Sequence, residues 1–328
     1  MRLMLWLIAV VAVFYGGYWV VSSRAVLTGT KAALIDLKAE GRGDFGEVGI
    51  SGFPSRFDLH VETPSLQSAD GLVRWQAPFL QLYALSYKPN HIIAVFPSAQ
   101  TVTLGTETLD ISSDDARASV VLGIGTDLPL DHAQMVAEAV GIGSDMGWQA
   151  NLSVVRLAIR RDKTAENAQE IGLEVLGVDL SGNPADLMAT AGPIPTVIDR
   201  VRLDAVLNLD VPINRFWPQN NLRIRAADIR ALELDWGKAR LRGDGTLTIN
   251  AAGQPEGRIA LRITHWRDVL AAAIGLGLLR AEYAVTVETA LAQLALASGD
   301  ADVLELPIVF AKGRVSLGPF PLGPAPQF

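Results

Sequence analysis

Two hydrophobic periodicities divide this chain. From Leu3 to Val21 the run LMLWLIAVVAVFYGGYWVV is apolar and carries no charge. As a helix rising about 1.5 Å per residue it would span about 28 Å, close to the hydrocarbon thickness of a bilayer. Further on the pattern alternates with period two, which predicts strands with one face covered. Phe57-Asp58-Leu59-His60-Val61-Glu62 is the first clear case; Leu203, Ala205, Leu207, Leu209 and Val211, then Leu232-Glu233-Leu234-Asp235-Trp236, then Ile259, Leu261 and Ile263 repeat it. Turn signals at Gly52-Phe53-Pro54, Ala69-Asp70-Gly71 and Lys88-Pro89-Asn90 cut the region into hairpins, so the sheet is expected to be antiparallel.

Helical spacing interrupts this pattern in places. Thr30 to Glu40 reads as an amphipathic helix stopped by Gly41. Leu130 to Val140 follows Pro129, stops at Gly141 and places Asp131 in a first turn, which predicts a second helix. Asn183 to Met188, with Pro184, predicts a short third. Trp266, Val269, Leu270, Ala273, Ile274, Gly277 and Leu278 form one helical face, and Thr289 to Ala297 predicts another helix. The expected fold is mainly β with a few helices (α+β), a large curved antiparallel sheet system behind one N-terminal transmembrane helix. Residues 1–24 are read as the anchor, 25–48 as a short helix and linker, and 49–328 as the β-rich domain. Its halves, 49–180 and 199–328, echo each other where Val73-Arg74-Trp75-Gln76-Ala77 resembles Leu234-Asp235-Trp236-Gly237-Lys238-Ala239.

The flanks of the first run favour a membrane anchor. Arg2 precedes it and Ser22-Ser23-Arg24 follows, while Trp6, Tyr15, Tyr18 and Trp19 lie where aromatic rings favour the interface. Leu3, Trp6, Tyr18, Trp19 and Val21 are therefore the expected anchoring residues. The rival is a cleaved signal peptide, whose apolar core is usually shorter and is followed by an A-x-A site; here only Val21-Ser22-Ser23 offers a weak exit. Positive charge is nearly balanced, Arg2 against Arg24 and Lys31. The short leading segment and signal-like layout place the amino end in the cytosol and export the main domain.

Composition narrows the function classes. Apolar residues make up 49% and charged residues 19%, with a mean hydropathy of +0.26, which argues against disorder. A net charge of −7 and scattered arginines give no basic patch for nucleic acid. Without cysteine the chain has no disulfide, thiolate metal site or thiol nucleophile. His60, His91, His132 and His265 are not at metal-ligand spacing. Gly49-Ile50-Ser51-Gly52 departs from a nucleophile elbow, and Gly123-Ile124-Gly125 lacks the third glycine of a dinucleotide loop. Asp114-Asp115 and Asp300 with Asp302 lie in polar turns. No catalytic, metal or cofactor-binding residue is assigned, and a non-enzymatic protein without cofactor is expected. Asn214 to Asn221 contains Phe216 and Trp217, aromatic residues in a polar loop that would suit a partner or a membrane interface and equally a loop anchor.

Several motifs, taken together with the apolar N-terminus, resemble an uncharacterised family of membrane-anchored alphaproteobacterial envelope proteins (domain of unknown function 2125). They are Gly52-Phe53-Pro54-Ser55-Arg56-Phe57, Trp75-Gln76-Ala77-Pro78, Leu234-Asp235-Trp236-Gly237, Gly253-Gln254-Pro255-Glu256-Gly257 and the ending Asp302 to Pro321. The chain also resembles, more loosely, the AsmA-type class. That resemblance implies an elongated β-domain in the periplasm, tethered to the bacterial inner membrane, and a part in handling envelope lipids; it carries over no functional residue. The expected function is a binding module for lipid or another hydrophobic ligand. A scaffold docking envelope proteins is the alternative, and an enzyme assembled from distant segments is the third reading.

Overall fold

The computed structural model describes every residue except 1, 166, 183–194, 217–221, 276–278 and 328. Helix α1 runs without a break over Arg2–Ala39, so the apolar run and the amphipathic segment after it are one element. It ends in a Schellman arrangement: Gly41 adopts φ +71°, the Gly41 N–H donates to Lys38 O, and the Arg42 N–H donates to Leu37 O.

All twenty strands belong to one antiparallel sheet. The first ten are short: β1 (Gly43–Asp44), β2 (Val48–Ser51), β3 (Arg56–Glu62), β4 (Ser65–Gln67) and β5 (Val73–Gln76). They continue as β6 (Phe79–Leu85), β7 (Lys88–Val95), β8 (Ala99–Leu104), β9 (Glu107–Ser112) and β10 (Asp115–Leu122). The next seven are long: β11 (Leu130–Ser144), β12 (Trp148–Arg161), β13 (Ala168–Gly182) and β14 (Val197–Leu209). Then come β15 (Ile224–Trp236), β16 (Ala239–Ile249) and β17 (Pro255–Thr264). Helices α2 (Trp266–Gly275) and α3 (Ala284–Ala297) precede β18 (Val303–Ala311), β19 (Arg314–Leu317) and β20 (Phe320–Pro324).

The short strands are halves of long ones. β3 continues as β4 past Thr63-Pro64, and β5 as β6 past Ala77-Pro78. β7 continues as β8 past Phe96-Pro97-Ser98, and β9 as β10 past Ser113-Asp114. Both β9 and β10 then pair with the same edge of β11. The whole sheet is thus a sequential meander, and among the described residues its two edges do not close into a barrel. Proline explains the first breaks, because it has no N–H to give the ladder.

The break line continues as a crease across the unbroken strands. Ala139 adopts φ +49°, and Gly177 adopts φ +60°; Ser153 lies between them in register. There the inside–outside alternation inverts, so residues three apart share a face: Ala137 with Val140, and Leu152 with Val155, all in one apolar cluster.

The predicted helix over Leu130 to Val140 is instead strand β11. Its alanines fit both periods, but Ala133, Met135 and Ala137 face one way and His132, Gln134 and Glu138 the other, matched by partners on both sides. The helix predicted at Asn183 to Met188 lies outside the described residues. The two later helices occur; α2 is described over Trp266–Gly275, the predicted residues Gly277 and Leu278 lying outside the described residues, and α3 starts earlier than predicted.

Candidate functional site: an open apolar sheet face

The register places apolar residues in rows that cross the sheet. One row reads Ile50, Leu59, Leu82, Ala94, Ala118 and Met135. It continues as Leu157, Leu173, Leu203, Leu232, Gly243, Leu261 and Leu306. The row beside it includes Ala137, Val155, Val175, Val201, Leu234, Leu241, Ile263 and Leu304. On the other side run Ala133, Ile159, Ile171, Ala205, Ile229, Gly245, Ile259 and Ile308. Every position in these rows is apolar or glycine, so one face of the sheet is hydrophobic from β2 to β18.

Among the described residues, helices cover the two ends of that face and reach one margin of its middle strands, where Ala272 of α2 packs with Trp236, Leu180 and Ile198. Leu27 and Leu34 of α1 pack on Val48, Leu59 and Val61. Trp266, Leu291 and Ala295 of α2 and α3 pack on Ile263, Leu304 and Leu306. Those sheet residues are fully buried. In the middle they are not: Met135, Leu173 and Leu203 are half-buried, and Leu157 is 43% exposed. A core leucine under a second layer would be nearly inaccessible, so the centre of this face is an uncovered apolar floor among the described residues.

The opposite face carries charge. One of its rows reads Arg156, Glu174, Arg202, Glu233, Arg242, Arg262 and Glu305, a charged ladder across adjacent strands that alternates in sign except between Arg242 and Arg262. Arg156 Nη1 lies 2.7 Å from Glu174 Oε2, and Arg200 and Arg262 pair with Glu233 and Glu305. Glu170 bonds Arg160 and, at 3.1 Å, Arg230. Those two guanidiniums hold its carboxyl below the usual range.

Of the depressions on this face that gather polar groups, two hold a histidine or a floor of glycines. One of about 540 Å³ includes His132, Arg160, Glu170, Asp204 and Arg230. Its Glu170 is committed to two arginines, and His132 Nδ1 lies 2.9 Å from Asp131 Oδ2. The other, about 610 Å³, is floored by Gly141 and Gly143 and includes Thr101, Asp110, Ser112 and Asn151. In the second, Thr101 Oγ1 donates to Asp110 Oδ1 at 3.3 Å and Ser112 Oγ donates to the Gly141 carbonyl at 3.4 Å.

The remaining residues singled out in the sequence fall apart in space. His60 stacks on Phe79, His91 bonds Ser119 Oγ at 2.9 Å, and His265 joins β17 to α2. Asp115 pairs with Arg117, and Asp300 Oδ1 accepts the Asp302 N–H. Among the described residues no three His, Asp or Glu side chains are grouped to hold a metal. Phe216 is partly exposed beneath the Arg215 guanidinium, and Trp217 lies outside the described residues. Leu3, Trp6, Tyr18, Trp19 and Val21 all lie in α1, which is long and apolar enough to cross a membrane. What the sequence did not reveal is the open leucine floor, because its members come from separate strands and meet only through register.

A family model described as an uncharacterized protein conserved in bacteria matches residues 19–326. No curated protein and no solved structure matches the chain.

Proposed function

Since the chain belongs to the DUF2125 family of uncharacterized proteins conserved in bacteria, which offers no activity to transfer, we propose its function from the sheet itself: a membrane-tethered module that binds lipid acyl chains along its uncovered apolar face. The observation that carries this reading is the leucine floor between α1 and α2–α3, with Leu157 43% exposed. Each acyl methylene taken from water contributes about 0.8 kcal/mol, so such a surface needs no specific polar group to hold a chain. Helix α1 supplies the tether, with its amino end in the cytosol and the sheet outside.

The test reconstitutes the full chain in nanodiscs containing a photoreactive phospholipid and maps the cross-linked peptides. Labelling is expected on β11–β14. Leu157→Glu should reduce it about tenfold, the change that ~1.4 kcal/mol produces. Val136→Glu should not, because Val136 faces the charged side opposite Arg117 and Arg156. Equal labelling of all three proteins, or none, overturns the proposal. Docking of a protein partner through Phe216 and Trp217 would instead give protein cross-links that Phe216→Ala weakens.

A further inference from the structure

The way α1 meets the sheet adds a second membrane contact. Tyr15, Tyr18 and Trp19 lie within the apolar run, yet all three are bonded to one end of the sheet. Tyr15 Oη lies 2.8 Å from Ser86 Oγ, and Tyr18 Oη donates to the Ser86 carbonyl at 2.7 Å. Trp19 Nε1 donates to the Arg56 carbonyl at 2.8 Å, and its ring meets Phe53 edge-on at 5.4 Å. Ser86 is fully buried by these contacts.

The length of the helix makes this junction informative. Of the uncharged apolar run that follows Arg2, Leu3 to Phe14 lies beyond it, about 18 Å at ~1.5 Å per residue, against a hydrocarbon thickness of about 30 Å. A full crossing therefore has to use Tyr15 to Val21, the stretch to which the sheet is bonded. The connections β2–β3 and β6–β7 that make those bonds carry Phe53, 62% exposed, and Tyr87, 70% exposed. The β10–β11 connection opens at the same end and carries Ile124, 97% exposed. Exposed apolar side chains on successive tips are what an interfacial rim presents.

We infer that this end of the sheet is seated in the membrane interface, with Phe53 and Tyr87 inserted among the lipid headgroups beside α1. The occupant is the bilayer from which α1 emerges. The contact holds the strands end-on to the membrane, which places one margin of the apolar face at the lipid surface. The inference rests on the reading of α1 as the membrane-spanning segment.

The chain contains no cysteine, so single probes can be placed without other changes. Leu7→Cys, Phe53→Cys, Tyr87→Cys and Met146→Cys would each carry an environment-sensitive fluorophore in the full chain, reconstituted in phosphatidylethanolamine–phosphatidylglycerol vesicles. Met146 is an exposed control in the β11–β12 turn at the opposite end. Spin-labelled lipids should quench the probes at Leu7, Phe53 and Tyr87 several-fold more than at Met146, with strand circular dichroism unchanged. Quenching at Leu7 alone, with Phe53 and Tyr87 matching Met146, overturns the rim contact while the anchor stands. No quenching at Leu7 overturns the anchor and the rim contact with it.

Discussion

At the scale of single residues, the crease is held by backbone conformations that few side chains tolerate. Gly177 sits at φ +60°, and a Cβ there would lie 2.4 Å from Ser153 Oγ. An L side chain in the left-handed region costs about 1–2 kcal/mol. Gly177→Ala should therefore lower the thermal midpoint of the strand signal in detergent; an unchanged midpoint would mean this row does not hold the crease. Ala139 already bears a side chain at φ +49°, so Ala139→Gly should be far less damaging. Half of the crease carries a sequence signal, although the turn signals named from the sequence lie elsewhere. Pro64, Pro78 and Pro97 announce their breaks, but nothing in an alanine or serine announces the inversion at Ala139 and Ser153. Trp236 plugs one end of the sheet: it is buried at the end of β15 and donates Nε1–H to the Pro195 carbonyl at 2.7 Å.

Among the elements, β11 and α1 show what local pattern leaves undecided. The alanine-rich segment from Leu130 suits a helix by propensity, and tertiary pairing on both edges makes it a strand. The error lay in a period that alanine does not report. For α1 the sequence suggested an anchor followed by a separate helix, and the structure joins them because nothing between Val21 and Lys31 breaks helical spacing. The C-terminal part of α1 is fixed by Leu27 and Leu34 against Val48, Leu59 and Val61. Leu34→Asp removes part of the about 1.5–3 kcal/mol that full burial of a leucine contributes and places a charge on that apolar surface. It should release this part of the helix, seen as new protease cleavage between Ser22 and Glu40 while the sheet remains intact. Cleavage no faster than in the parent chain would show that other contacts hold the helix.

Over the whole molecule, two chemically opposite faces run across one meander. Period two made strands such as β3, β14, β15 and β17 and the antiparallel class legible, since each of these alternates within itself. It could not show that thirteen strands align their apolar residues into shared rows, because that depends on register between segments distant in the chain. The same register creates the charged ladder and gives the sheet an acid-sensitive component. Glu170 is held below the usual carboxylate range, first by its hydrogen bond from Arg160 and then by that from Arg230. A carboxylate with a depressed folded-state pKa contributes stability that is complete above its unfolded pKa and is lost as pH falls through the folded value. The unfolded value for glutamate is about 4.3. The stability difference between the parent chain and Glu170→Gln should therefore be constant near neutrality and shrink as the pH drops below about 4.3. Denaturation midpoints of the two proteins across that range would check it, and parallel curves would remove Glu170 from the account. The apolar face has no titrating group in its rows, so lipid labelling of β11–β14 should persist at any pH where the strand signal is intact. Loss of labelling ahead of the strand signal would point to a polar contribution that the leucine floor does not contain.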